Sequence, residues 1–208
     1  NYGGTKNIVE AIKEREDQND VKLVYVGTVA ETGNREPPVH WGRIGDPLVP
    51  SVYDYYALSK IAAERYVIES GLTYWVSVRQ TGILHENILS VQNGIGFHQP
   101  LNNRIEWVTV EDSGRLLANV CADDMDNQLW GRCYNIGGGE SCRLTAFQFF
   151  EKIFHIMGVR MEDIYESNMF ALRNFHGHFY LDSDLLEDIL HFRNQSVDDV
   201  MKEILRKR

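Results

Sequence analysis

The spacing of apolar residues along the chain alternates between a helical and a strand-like period, and each change marks an element. Ile8, Val9, Ala11 and Ile12 recur at near-helical spacing between Thr5 and Glu16, behind the flexible Gly3-Gly4 pair, which predicts an amphipathic helix. Lys22 to Gly27 (KLVYVG) is short, β-branched and almost entirely apolar, as a parallel strand buried on both faces should be. Thr28 to Val52 then loses periodicity and gathers Gly33, Pro37, Pro38, Gly42, Gly45, Pro47 and Pro50, and loops of this length are more often functional than not. Helical spacing returns through Tyr56, Ile61, Ala62, Tyr66 and Val67, predicting a helix over Tyr53 to Ser70 that stops at Gly71. Tyr74 to Arg79 (YWVSVR) reads as a second buried strand. Two such strands joined through a helix by short connections make a βαβ crossover, so the sheet is parallel and the class is α/β.

Beyond Gly82 the pattern loosens. Arg104 to Val110 (RIEWVTV) is predicted as one strand, Glu111 to Ala122 as a helix and Arg132 to Ile136 as a further strand ended by a Gly137-Gly138-Gly139 turn. Leu144 to Met157 has Phe147, Phe150, Ile153 and Phe154 at helical spacing, which usually signals burial. A short strand near Phe179 to Leu181 and helices near Ser183 to Leu190 and Ser196 to Leu205 complete the pattern, with no internal repeat. The division expected from this is 1–82 as the catalytic half of a Rossmann-type domain, and 83–208 as the remaining sheet elements plus a small mixed α/β substrate-binding region.

Composition narrows the function classes. The 208 residues are 43% hydrophobic and 25% charged, which fits a folded globular chain. A net charge of -9 with no basic stripe, apart from the tail Lys202, Arg206, Lys207 and Arg208, argues against a nucleic-acid or anionic-membrane partner. No apolar run approaches the roughly 20 residues that span a bilayer, and no signal-peptide pattern opens the chain. Cys121, Cys133 and Cys142 have neither disulfide-framework nor zinc spacing, so a reducing, cytoplasmic setting is expected. Because helical periodicity begins at once after Asn1, the chain is also expected to lack an N-terminal part of its protein.

Tyr56 and Lys60 stand four apart on the predicted helix, hence on one face, and a fixed positive charge beside a phenol favours its ionised form. Such a pair can move a hydroxyl or carbonyl proton. Spacing alone does not single it out, since Tyr2 and Lys6 match it. Context does: the strand before it delivers the Thr28 hydroxyl at its C-terminal end, the edge where open parallel sheets place their ligands. His176 and His178 have no third ligand at metal spacing. Asp123, Asp124 and Asp126 read as a solvated turn, while Met157, Met161, Met169 and Phe170 fit an apolar pocket or gap-filling equally well.

Taken in order, Gly4-Thr5-x-Asn7-Ile-Val-Glu-Ala11, Val24-Tyr-Val-Gly-Thr28-Val-Ala-Glu-Thr-Gly33, Tyr56-x-x-x-Lys60, Trp75-Val-Ser-Val-Arg-Gln-Thr-Gly82, Trp107-Val-Thr-Val-Glu-Asp112 and Tyr134-Asn-Ile-Gly-Gly-Gly-Glu-Ser141 resemble the extended short-chain dehydrogenase/reductases, the NAD-dependent epimerase/dehydratase family. The resemblance covers nearly the whole chain. It implies the C-terminal half of a Rossmann-type sheet and an NAD(P)-dependent oxidoreductase or epimerase/dehydratase. The substrate would be a small molecule with a hydroxyl or carbonyl group, with a nucleotide-sugar as one candidate. Tyr56 would then be the general acid/base, Lys60 would bind the nicotinamide ribose and Thr28 would hold the reacting oxygen. Gln80, Thr81 and Gly82 would join Tyr56 and Lys60 around the cofactor, NAD or NADP, and a homodimer is possible. Two departures stand out. The family's glycine-rich fingerprint is absent from this chain, so the piece by itself should not hold the dinucleotide. The asparagine that many sugar epimerases carry three residues after the arginine is replaced in Gln80-Thr81-Gly82. A non-catalytic binding or regulatory chain of the same fold is the alternative class.

Overall fold

The computed structural model describes residues 1–33, 35, 41–90, 94–122, 125, 127–173 and 177–207. Along the chain the elements are α1 (Tyr2–Lys13), β1 (Lys22–Thr28), β2 (Trp41–Gly42), α2 (Tyr55–Ile68), β3 (Tyr74–Gln80), β4 (Ile83–Leu84), β5 (Arg104–Glu106), β6 (Val108–Thr109), α3 (Val110–Val120), β7 (Arg132–Asn135), β8 (Arg143–Thr145), α4 (Ala146–Ile156), β9 (Phe179–Tyr180), α5 (Asp184–Leu190) and α6 (Val197–Arg206). The class is α/β, as the pattern predicts.

The central sheet is parallel in the order β1-β3-β7, with Thr28 opposite Gln80 and Arg79 opposite Asn135. Three small two-stranded pairs surround it: β2 with β9, β4 with β6, and β5 with β8. Val76, Val78 and Tyr134 pack on one sheet face against Leu116 and Val120 of α3 and Leu186 and Leu190 of α5. Tyr25, on the opposite face, packs with Val9 and Ile12 of α1 and Ala63 and Val67 of α2.

Two expectations need adjustment. β1 is not buried on both faces: it pairs only with β3 among the described residues, and Val26 is 39% exposed. The strand expected over Arg104 to Val110 is two strands. Residues 104–106 pair antiparallel with 143–145, whereas Val108 and Thr109 pair parallel with Ile83 and Leu84. Trp107 makes the break, because its ring stacks on Phe149 at 4.4 Å while its amide donates to the Cys142 carbonyl.

Candidate functional site

Thr28, the last residue of β1, is buried in an extended conformation (φ -152, ψ 146). Its Oγ1 accepts from the Ala30 amide at 3.3 Å, and its own amide donates to Glu31 Oε1 at 3.1 Å. Together these form a capping box that starts the 3₁₀ turn Val29–Glu31. The cap uses the hydroxyl as an acceptor, so its proton remains available to a substrate oxygen.

Helix α2 begins at Asp54, whose carboxylate accepts from the Ala57 amide at 2.9 Å. This places Tyr56 in the first helical turn with its side chain half exposed (51%). One turn on, the Lys60 ammonium donates to the Val26 carbonyl of β1 at 2.5 Å and lies 4.6 Å from the centre of the Tyr25 ring. The Tyr25 hydroxyl returns a bond to the Lys60 carbonyl at 3.0 Å. Partial burial lowers the Lys60 pKa, and the charges of Glu31 and Glu64 oppose that shift. Lys60 is thus anchored two residues before Thr28. Tyr2 and Lys6, the decoy pair, go elsewhere: Tyr2 packs edge-on against Tyr66 at 5.8 Å, and Lys6 lies over the same ring.

Gln80 ends β3 and Thr81 follows it at the C-terminal end of the sheet. Gln80 Oε1 accepts from Ser113 Oγ at 3.2 Å, which leaves its buried amide nitrogen without a hydrogen-bond partner among the described residues. An orphaned donor at this edge fits a polar ligand group. Thr81 is buried, and Gly82 is close-packed, since a Cβ there would meet the Trp107 ring at 2.7 Å.

Beneath Thr28 and Lys60 lies a charged cluster that the sequence does not single out. Arg79 grips Glu64 through Nε (3.0 Å) and Nη2 (2.7 Å), Ser77 Oγ donates to Glu64 at 2.5 Å, and Glu31 Oε2 lies 3.5 Å from Arg79 Nε. Glu31 is 0% exposed, Glu64 2% and Arg79 5%, so two carboxyls share one cation away from water. Gly27 makes room for it, since a Cβ there would stand 3.1 Å from both Glu31 Oε1 and Arg79 Cγ.

A second buried carboxylate organises the C-terminal region. Glu106 accepts from the amides of Gly139 (3.1 Å) and Tyr180 (3.1 Å), from Ser183 Oγ (2.6 Å) and from Arg143 Nε (2.8 Å). The Gly137-Gly138-Gly139 turn closes over it: a Cβ on Gly137 would lie 2.3 Å from Glu106 Oε1, and one on Gly138 would lie 2.5 Å from Cys142 Sγ. Asp112, at the start of α3, likewise holds the amides of Asn194 and Gln195.

The remaining candidates resolve into packing where they are described. Phe149 and Phe154 are buried, while Phe147 and Phe150 pack against the clusters they belong to. Met161 and Phe170 are core, whereas Met157 and Met169 are partly exposed, so the four do not line one pocket. His178 is buried against Tyr180 and Thr32; His176 and Asp123, Asp124 and Asp126 lie outside the described residues. No metal-binding cluster and no helix long and apolar enough to cross a membrane occurs among the described residues. A cavity of about 460 Å³ lies along β7, lined by Ile44, Ile68, Arg79, Cys133, Asn135 and Asp182 among others. Its lining includes none of Thr28, Tyr56 and Lys60.

No family model and no curated protein sequence matches the chain. Solved structures do. A dTDP-glucose 4,6-dehydratase from Bacillus anthracis, determined with NAD, is similar with a TM-score of 0.72 and 19% identity over 98% of this chain and 65% of that one. A UDP-glucuronic acid 4-epimerase from Bacillus cereus, with UDP-glucuronic acid and NAD, gives 0.68 and 14% over 99% of this chain and 67% of that one. L-threonine 3-dehydrogenase from Trypanosoma brucei gives 0.69 and 16% over 98% and 66%. The chain therefore spans about two thirds of the length of these structures, and at such identities the likeness shows a shared fold, the Rossmann-type α/β arrangement.

Proposed function

We propose that this chain supplies the catalytic wall of an NAD(P)-dependent oxidoreductase or epimerase/dehydratase acting on a hydroxyl or carbonyl of a small, nucleotide-sugar-like substrate. The observation that carries the reading is the anchoring of Lys60 to β1 two residues before Thr28, one helical turn from Tyr56, at the C-terminal edge of a parallel sheet. The neighbouring folds crystallised with NAD, and their names, support the cofactor and substrate class. Within this proposal residues 1–82 form the catalytic part, and 83–208 the remaining sheet and the substrate-binding region. Exposed Ile8 on α1 and Leu58 on α2 favour a homodimer through these helices, and the free thiols a cytoplasmic setting.

A bound nicotinamide would accept or return the hydride, which no side chain can do. Tyr56 would take the substrate proton when the hydroxyl is oxidised and give it back when the carbonyl is reduced. Lys60 would hold the ribose hydroxyls and favour the Tyr56 phenolate through its charge. Thr28 would donate its hydroxyl proton to the substrate oxygen, and Gln80, Thr81 and Gly82 would line the cofactor, with the Gln80 amide as donor. Fluorescence titration with NADH and NADPH of the protein that carries this chain tests the assignment. Lys60→Ala should weaken nucleotide binding by about tenfold or more, since a hydrogen bond to a charged group contributes about 1.5–3 kcal/mol and ~1.4 kcal/mol is tenfold, and Tyr56→Phe should leave it nearly unchanged. Equal affinity in wild type and Lys60→Ala would remove Lys60 from the cofactor site.

A further inference from the structure

Glu31 and Glu64 face a single guanidinium out of reach of water, and the proposed reaction uses neither. Arg79 balances one carboxylate. A second ionised carboxylate would be a buried negative charge with no hydrogen-bonded cation of its own, since the Lys60 ammonium donates to the Val26 carbonyl, and the low-dielectric surroundings disfavour it. Every Glu64 oxygen already accepts from Ser77 or Arg79, whereas Glu31 Oε1 accepts only the Thr28 amide and Oε2 has no hydrogen-bond partner among the described residues. Glu31 is therefore the partner placed to carry a proton.

We propose that Glu31 is a positioning residue for the Thr28 and Lys60 wall that works as the neutral acid, sharing one proton with Glu64, fixing Thr28 through its amide and leaving the Lys60 charge unopposed. The proposal rests on the reading of Tyr56 and Lys60 as the proton-transfer pair. Burial, then the Glu64 charge, push the Glu31 carboxyl up to about 8, with Arg79 pulling the other way. Burial also raises Glu64, but the bonds from Arg79 and Ser77 outweigh it and bring the Glu64 pKa down. The groups facing Glu31 are Tyr25 and the Thr28 amide from β1, Arg79 from β3, Glu64 and Lys60 from α2, and Cys133 from β7. Burial raises the Tyr25 phenol and pushes the Cys133 thiol up to about 12, so both stay neutral where Glu31 titrates. When Glu31 loses its proton the cluster gains a net negative charge, which attracts the Lys60 ammonium.

Infrared spectroscopy reads the shared proton directly. At neutral pH the wild-type protein should show the carbonyl band of a protonated carboxylic acid, which Glu31→Gln removes and which fades as pH rises past about 8. A spectrum without that band at neutral pH, or with the band unchanged in Glu31→Gln, overturns the proposal. Coupling to the site is read from the pH profile of NADH affinity in the protein that carries this chain: wild-type affinity should change as pH passes about 8 and Glu31→Gln affinity should not, and identical profiles would overturn the positioning role. Glutamine keeps the acceptor for the Thr28 amide; should that variant not fold, the wild-type band and its pH dependence decide alone. The two readings fail separately, because full turnover by Tyr56→Phe would overturn the reaction, whereas a missing acid band overturns the shared proton.

Discussion

Replacing Glu106 by glutamine keeps the shape of the side chain but turns one of its oxygens into a donor. In wild type that carboxylate receives two backbone amides, one hydroxyl and the Arg143 guanidinium, and it is 0% exposed. The new NH₂ faces the two donors on one side, so two charge-assisted bonds are lost and their donors stay buried. Hydrogen bonds to charged groups contribute about 1.5–3 kcal/mol each, so the expected loss is about 3–6 kcal/mol. For a chain of this size that lowers the melting temperature by roughly 6–24 °C. Urea denaturation followed by tryptophan fluorescence measures it. Ser183→Ala, which removes a single donor to the same carboxylate, should cost about half as much, about 1.5–3 kcal/mol. A loss below about 1 kcal/mol for Glu106→Gln would refute the view that this carboxylate ties β5, β8, β9 and the glycine turn together.

Stability should also depend on pH through the Glu31 and Glu64 pair. Glu31 titrates near 4.5 in the unfolded chain and at about 8 when folded, so between these values the folded state holds a proton that the unfolded chain has released. Stability from this group is fully present below the lower value and falls as pH rises towards the upper one, with a slope approaching about 1.4 kcal/mol per pH unit. Glu31→Gln should flatten that slope in urea midpoints measured across the window; an unchanged slope would contradict the buried acid. Glu64, whose pKa is lowered, contributes in the opposite sense, its stabilisation being lost only as pH falls below the ordinary carboxylate range. Tyr53 sits at φ 63 with its side chain 83% exposed, so Tyr53→Gly should relieve backbone strain and raise stability by up to about 1 kcal/mol in thermal melts. Destabilisation would mean that the ring has packing to lose.

The elements of the central sheet were legible because β1 is an almost continuous apolar run, β3 is apolar at Tyr74, Trp75, Val76 and Val78, and α1 and α2 carry helical spacing. The break at Trp107 was not, since the residues on both sides of it are β-formers and only the stacking on Phe149 and the bond to Cys142 divide them. That α2 would set Lys60 beside the strand that ends at Thr28 could be read from the order of the elements along the chain. The Glu31, Glu64 and Arg79 cluster could not, because its members come from a turn, a helix and a strand far apart in sequence. A signal existed: Ser77 and Arg79 lie on one face of an otherwise apolar strand, and a charge there needs a buried partner. Glu106 gave the same signal inside RIEWVTV.

The central claim is that Tyr56 moves the proton that accompanies hydride transfer. It is tested by incubating the protein that carries this chain with NAD or NADP and a panel of nucleotide-sugars and small alcohols, following the absorbance of reduced nicotinamide and the products formed. Wild type should turn over at least one of them, and Tyr56→Phe should be slower by about 10²–10⁴-fold, the share that a positioned acid/base contributes, with nucleotide affinity retained. Turnover by Tyr56→Phe at the wild-type rate would contradict the account.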